Sequence, residues 1–282
     1  MRRLARAKVN LYLHVQGRRS DGYHLLDSLV VFPDFGDTVE LLTAERSSLT
    51  VQGPLAHLVA DVPAERNLAW KAAQLLLHEA DADDHFEIRI TKRIPPQAGL
   101  GGASADAAAV LHLINERLAL HIAPEELQGL ALRLGADVPA CIASRPLFFA
   151  GIGEVLEPAP SLPEFALVLV WPGEGLATPA IFAALREVHI GPPTPRPALT
   201  AQGAIAGLMA QRNDLQPLAE AQLPAIRDML RALEGEHGCQ FARMTGSGSA
   251  CFGMLDSAGS ARAAAAAIAG QHPSWWVQAV ST

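Results

Sequence analysis

The chain has 282 residues, half of them apolar and 18% charged, and a formal net charge of −7. That length holds one large domain or two of ordinary size, and that apolar share supports a buried core, which excludes disorder on the scale of the chain. The acidic balance argues against a nucleic-acid binder, and no apolar run approaches the roughly 18 residues that a membrane span needs. Three cysteines, Cys141, Cys239 and Cys251, show neither Cys-x-x-Cys pairing nor zinc-ligand spacing. They read as reduced, mostly buried thiols of a cytoplasmic protein.

The start, MRRLARAKVNLYLHV, has the outline of a leader segment. Lys8 and Asn10 interrupt its apolar part and no small-residue cleavage site follows, so it reads as a first strand. Lys8 and Asn10 fall at alternate positions and are expected on one face of that strand, lining a cavity. Asp21-Gly-Tyr-His24, after a glycine and two arginines, reads either as an ordinary surface turn or as one that presents an aromatic ring and a histidine. HLLDSLVVF, DTVELLTA and SLTVQG are further strand candidates. Asn67 caps a helical pattern, LAWKAAQLLLHEA, after which HFEIRITKRI returns to a period of two.

Next comes PPQAGLGGASADAAAVLHLINERLAL, a glycine-rich turn followed by a long alanine-rich helix whose amino terminus lies at or just before Ser104. PEELQGLALRL is a second helix, with Pro124 in its first turn. Asp137, in GADVPACIAS, precedes a short proline-marked helix. PLFFAGIGEVLEP reads as a hairpin, and the proline-rich PAPSLPEF as a connector between domains. A strand, ALVLVWP, precedes the helix TPAIFAALREVH, with Thr178 as N-cap and Pro179 at its first position. GPPTPRPALTAQG reads as a loop and LPAIRDMLRALEGEHG as a helix. FARMTGSGSACFGML reads as two strands around a glycine turn, followed by the helix SAGSARAAAAAIAGQ and the strand WWVQAV. Strands and helices mix without regular βαβ alternation, which predicts an α+β fold of two domains, residues 1–158 and 159–282.

The glycine-rich turn from Pro95 to Ser104 carries the clearest chemistry. Glycines let the backbone approach a ligand, and the helix beyond supplies unpaired N–H groups and a positive dipole end, together a site for phosphates. On glycine content alone, a plain turn with a serine N-cap fits as well. A Walker loop is excluded because no lysine closes the motif, and the dinucleotide fingerprint fails because Ser104 stands where its third glycine belongs. Protein-kinase signatures are missing downstream. Met244 to Phe252 is a second glycine turn that could line the same site. Asp137 reads either as a helix cap or as a base that accepts a hydroxyl proton. Lysine is scarce: the 22 basic residues include only Lys8, Lys71 and Lys92, and two of these fall beside the proposed chemistry.

The order of these pieces is more specific than any one of them. Lys8-x-Asn10, Gly-Arg-Arg-Ser-Asp-Gly-Tyr-His24, Pro95-x-x-x-Gly-Leu-Gly-Gly-x-Ser104, Gly-Ala-Asp137-Val-Pro and Thr245-Gly-Ser-Gly together resemble the GHMP kinase superfamily, from Ala7 to about Phe252. The Asp-Gly-Tyr-His and Gly-Ala-Asp-Val-Pro elements resemble the members that phosphorylate a cytidine diphosphate-linked alcohol of the non-mevalonate isoprenoid route. The resemblance implies a ribosomal-S5-domain-2-like amino-terminal domain, a ferredoxin-like carboxy-terminal domain, ATP as phosphoryl donor and Mg²⁺. It implies Asp137 as base with Lys8 as its charged partner. It implies ATP contacts from Pro95, Pro96, Gln97, Ala98, Gly99, Leu100, Gly101, Gly102, Ala103, Ser104 and Ala105, with Lys92 near the nucleotide. It implies substrate contacts from Asn10, Tyr23, His24, Thr178 and Phe182, with Tyr23 stacked on the cytosine ring. No protein ligand for a resident metal, no nucleic acid and no membrane are implied, and the enzyme is expected as a monomer or weak homodimer. Superfamily members acting on mevalonate-type, homoserine or sugar alcohols are the nearest alternative, and a non-catalytic nucleotide-binding protein is a second. Two departures stand out. Ala103 replaces a frequent glycine, and Ala105-Asp106 replaces a serine–asparagine pair, which places an acid near the expected phosphates.

Overall fold

The computed structural model describes residues 1–185, 195–197, 199–200 and 203–282. It has two compact units that do not follow chain order. The first comprises Met1–Lys8, Phe35–Pro96 and Gly101–Arg145; the second comprises Val9–Asp34, Gln97–Leu100 and Pro146–Thr282.

The first unit is built on a four-stranded sheet of β1 (Arg2–Arg6), β4 (Gly36–Thr43), β5 (Ser48–Gln52) and β6 (Phe86–Thr91), ordered β1-β4-β6-β5. β4 pairs antiparallel with β1 and β6, and β5 runs parallel to β6. β4 shows the alternation expected of a half-buried strand: Asp37, Val39 and Leu41 point inward, Thr38, Glu40 and Leu42 outward. Helix α1 (Leu68–Glu79) starts where Asn67 accepts the Ala69 N–H at 2.9 Å, the cap its sequence predicts. Helix α2 (Gly102–Arg117) lies against β1 and β4 and packs on α1, with Ala105 and Ala107 to Ala109 among its buried residues. Helix α3 (Pro124–Leu132) carries its proline in the first turn, and α4 (Val138–Ala143) packs on α2 and α3.

The second unit holds two sheets. One is ordered β2-β3-β7-β8, from β2 (Val9–Arg18), β3 (His24–Val31), β7 (Leu147–Gly151) and β8 (Val155–Pro158), all antiparallel. The other runs β10-β11-β9-β12, from β9 (Ala166–Trp171), β10 (Cys239–Met244), β11 (Cys251–Leu255) and β12 (Trp276–Ser281), again antiparallel. Helices α5 (Thr178–Ala184), α6 (Ala204–Met209), α7 (Gln216–Gln222) and α8 (Ala225–Glu234) separate β9 from β10, and α9 (Ala258–Gln271) separates β11 from β12. With α8 and α9 packed on this second sheet, the β9-α8-β10-β11-α9-β12 series is the ferredoxin-like arrangement. Its core joins Val168 and Val170 of β9 to Met229 and Leu233 of α8 and Ile268 of α9.

The fold is α+β, as the irregular alternation predicts. Three local expectations are corrected. The first strand is two strands: β1 ends at Arg6, β2 begins at Val9, and the two belong to different sheets. Lys8 sits in the break, so it does not share a strand face with Asn10. Thr178 is the first residue of α5, not its N-cap; Ala177 holds that place and no side chain caps the helix. The proline-rich stretch 158–165 joins the two sheets of the second unit and separates no compact units. The expected end of the TPAIFAALREVH helix beyond Leu185, and most of the loop expected over 191–203, lie outside the described residues. All three cysteines are free thiols, Cys141 and Cys251 buried and Cys239 half-buried.

Candidate active site

In the first unit the glycine turn resolves into a helix start. Gly101 is the N-cap of α2 in the left-handed conformation, φ 66°, where a β-branched or bulky side chain would be strained. A Cβ there would also stand 3.1 Å from the Lys8 Cβ. The first amides of a helix have no acceptor within it, which leaves the N–H groups of Gly102, Ala103 and Ser104. The Ala105 N–H already donates to the Gly101 carbonyl at 2.9 Å, and its side chain is buried. Three converging donors and the positive end of a 16-residue helix form an anion site. Pro95 and Pro96 precede this turn in the same unit.

Beside that helix start lies an ion pair. The Lys8 ammonium donates to Asp137 Oδ1 at 2.8 Å; the lysine side chain is 5% exposed and the aspartate 40%. Asp137 is the N-cap residue of α4 by position, but its side chain makes no capping hydrogen bond. The carboxylate is therefore turned to Lys8 and to solvent, not to the helix it precedes.

Lys92 is buried and its ammonium is held by Asp37 Oδ2 at 2.5 Å and Asp106 Oδ2 at 2.7 Å. Burial disfavours its charge, but the two carboxylates outweigh that and raise its pKa above the ordinary lysine range. Burial pushes the Asp106 carboxyl up to about 7, with Lys92 opposing and Asp37 adding to the rise. The acid that seemed misplaced near phosphates thus faces inward to a lysine.

In the second unit, the remaining part of the glycine turn is tied to the second turn. The Ala98 carbonyl accepts the Ala250 N–H at 3.0 Å, and the Gln97 carbonyl accepts the Leu176 N–H at 3.2 Å; Gly99 and Leu100 continue this stretch. Asn10 is buried. Its N–H donates to Thr245 Oγ1 and its Nδ2 to Ser28 Oγ, both at 2.8 Å, while its Oδ1 has no partner among the described residues. The Thr178 and Ser247 hydroxyls lie 2.7 Å apart. His24 and Phe182 stack with ring centroids 5.3 Å apart. Tyr23, next to His24 in sequence, is 61% exposed. Asn10 thus meets Thr245, Thr178 meets Ser247 and His24 meets Phe182, within one unit.

Two residues escaped the sequence reading. Asp37 organises Lys92, and its signal was an acid on the apolar face of an alternating strand, in register with Val39 and Leu41. Asn213 holds the second glycine turn: its Nδ2 donates to the Met244 and Gly246 carbonyls, both at 2.8 Å, and its Oδ1 accepts the Leu215 N–H. Nothing local distinguishes an asparagine of that kind from a surface one.

Comparison with known proteins gives the family of the chain. Residues 67–145 match the GHMP kinases N terminal domain and residues 196–273 the GHMP kinases C terminal domain. A 4-diphosphocytidyl-2-C-methyl-D-erythritol kinase of Paracoccus denitrificans is 49% identical over 281 residues, 99% of this chain and 95% of the relative. One from Paramagnetospirillum magneticum is 46% identical over 97% of this chain and 95% of its own length. A solved 4-(cytidine 5'-diphospho)-2C-methyl-D-erythritol kinase superposes with a TM-score of 0.82 at 34% identity, covering 100% of this chain and 98% of the other. The L. major mevalonate kinase solved with R-mevalonate shares the fold, with a TM-score of 0.71 at 15% identity, over 100% of this chain and 95% of its own.

Proposed function

Because the chain belongs to the GHMP kinases and, within them, to the 4-diphosphocytidyl-2-C-methyl-D-erythritol kinase family, we propose that it transfers the γ-phosphoryl group of ATP to the 2-hydroxyl of 4-diphosphocytidyl-2-C-methyl-D-erythritol. The observation that carries the reading is the Lys8–Asp137 pair set beside the start of α2.

The α2 amides of Gly102, Ala103 and Ser104 bind the phosphate oxygens of ATP. They stabilise charge as it spreads over the transferred group. The loop from Pro95 to Gly101 shapes the approach of the nucleotide. Lys8 fixes Asp137 through Oδ1 and leaves Oδ2 to accept the proton of the attacking hydroxyl. The hydroxyl oxygen bonds to the γ-phosphorus, the bridging bond to the β-phosphate breaks, and ADP leaves with those electrons. The acceptor is a tertiary alcohol, so its placement matters as much as its deprotonation. The Ser104 hydroxyl, a hard oxygen on the first turn of α2, is the group that would meet a magnesium ion carried by the nucleotide, which would neutralise charge on the phosphates.

Asn10, with its unpartnered Oδ1, and the His24–Phe182 stack hold the cytidyl acceptor, and Tyr23 lies flat on its base. Thr178 closes that pocket through Ser247. No helix among the described residues is long and apolar enough to cross a membrane, and we read the protein as a cytoplasmic enzyme, monomeric or weakly dimeric. Along the sequence, residues 1–158 form the amino-terminal kinase domain and 159–282 the carboxy-terminal one, a division by family segments and not the boundary between the two compact units.

A coupled assay of ADP release tests it. The cytidyl substrate is expected to stimulate release, and mevalonate, homoserine and galactose are not. Equal stimulation by mevalonate, or none by the cytidyl substrate, overturns it.

A further inference from the structure

The Lys92 ammonium is buried beside the start of α2. It is claimed by two carboxylates from different elements: Asp37 at the start of β4 and Asp106 in the second turn of α2. Asp37 does more than balance charge. Its Oδ1 accepts the Arg93 N–H at 2.5 Å and the Ile94 N–H at 2.8 Å, the last amides before Pro95. The proline pair that follows can donate no backbone hydrogen bond, so Asp37 provides the last polar anchor on that side of the turn. On the other side, Asp106 fixes α2 one turn beyond the three amides of the anion site. A Cβ at Gly102 would stand 3.2 Å from the Lys92 Nζ and 3.0 Å from Ile94 Cγ2, so the helix start rests directly on this cluster.

All these groups lie in the first unit, and both ends of the glycine turn are fastened to the same ammonium. We propose that Asp37, Lys92 and Asp106 are positioning residues that brace the two ends of the ATP loop, so that the α2 amides are held in place before nucleotide binds.

The cluster explains two features of the sequence. The lysine retained in an arginine-rich chain is a compact point charge that meets two carboxylates at once. The acid at 106 belongs to the brace and not to a phosphate or metal contact. A buried charge cluster of this sort is weak evidence for stability, but a cluster missing one member leaves a buried charge uncompensated. The brace is therefore expected to loosen when any member is lost.

The inference rests on the reading of the Pro95–Ser104 segment as the ATP loop. The test is steady-state kinetics of Asp106→Ala and Lys92→Met, with Asp106→Asn as the conservative variant, together with hydrogen exchange of the peptide spanning 95–104. Asp106→Ala and Lys92→Met are expected to raise KM for ATP about tenfold, with KM for the cytidyl substrate within twofold. Exchange in the loop peptide is expected to quicken. Asp106→Asn keeps an oxygen for the ammonium and is expected to stay within threefold of the parent. Asp106→Ala and Asp106→Asn both keep Lys92, so they decide the matter even where Lys92→Met does not fold. Unchanged KM for ATP in Asp106→Ala, or an equal rise in both KM values, overturns the brace. Failure of the parent enzyme to turn over ATP overturns the functional reading instead.

Discussion

The Lys8 ammonium reaches Asp137 Oδ1 at 2.8 Å from the break between two strands of different sheets. The lysine is buried and the aspartate is not, so the pair is one-sided: a fixed cation and a carboxylate turned to incoming solute. Asp137→Asn keeps the shape but removes the proton acceptor. It is expected to lower kcat by at least about 10²-fold, the usual contribution of a positioned base. Rapid-quench measurement of one turnover isolates that step from product release. Because Asp137 is 40% exposed, the melting temperature should barely move. Near-normal turnover in a folded Asp137→Asn enzyme would remove Asp137 from the mechanism.

Tyr23 and the His24–Phe182 pair separate binding from stability. A ring 61% exposed contributes little to the fold. Tyr23→Ala is therefore expected to leave thermal unfolding unchanged and to raise KM for the cytidyl acceptor by about tenfold, the loss of one stacking contact. KM for ATP should not change. A variant that moved only the ATP value would place Tyr23 elsewhere.

The Asp106 carboxyl, pushed up to about 7 by burial, predicts a pH dependence of stability. A carboxyl whose pKa is raised in the folded state binds more protons there than when unfolded, between its ordinary value near 4 and about 7. Unfolding free energy contributed by this group thus falls as pH rises through that window. Urea unfolding of the parent should show stability falling from pH 5 to pH 8, and the fall should be smaller in Asp106→Asn, which cannot ionise at this position. A constant difference between the two proteins at both pH values would contradict the raised value.

Much of this was legible in the chain, and what was not has physical causes. Helix starts at Asn67 and Ser257 and the hairpin at Gly151 and Gly153 depend on local chemistry, and they stand where that chemistry put them. The break at Ala7-Lys8 was hidden because β1 and β2 share one alternation; only sheet membership, a long-range property, separates them. Thr178 and Pro179 make a sound cap pair locally, but the threonine hydroxyl is engaged by Ser247, 69 residues away. The role of Asp106 could not be read for the same reason. Its partner Lys92 is close in sequence, but the second acid, Asp37, comes from 55 residues before the lysine.

Arg243 offers the sharpest test of the second unit. Its guanidinium is buried on β10, and its shortest hydrogen bonds run to main-chain carbonyls: Leu11 at 2.6 Å through Nη1, Gln211 at 2.6 Å and Leu208 at 3.1 Å through Nη2. It also lies over the Phe241 ring, 4.8 Å from its centroid. Burial alone lowers its pKa to about 10, which leaves it charged at neutral pH. Only a fork with several donors can reach β2 and the segment after α6 at once, so Arg243 fastens the two together. Arg243→Lys keeps the charge and gives up the fork. Losing one or two charge-assisted bonds costs about 1.5–3 kcal/mol each. Chemical denaturation is expected to show a loss of about 1.5–6 kcal/mol, with both KM values of the folded enzyme unchanged. A lysine variant as stable as the parent would mean that charge, and not the fork, is what this position requires.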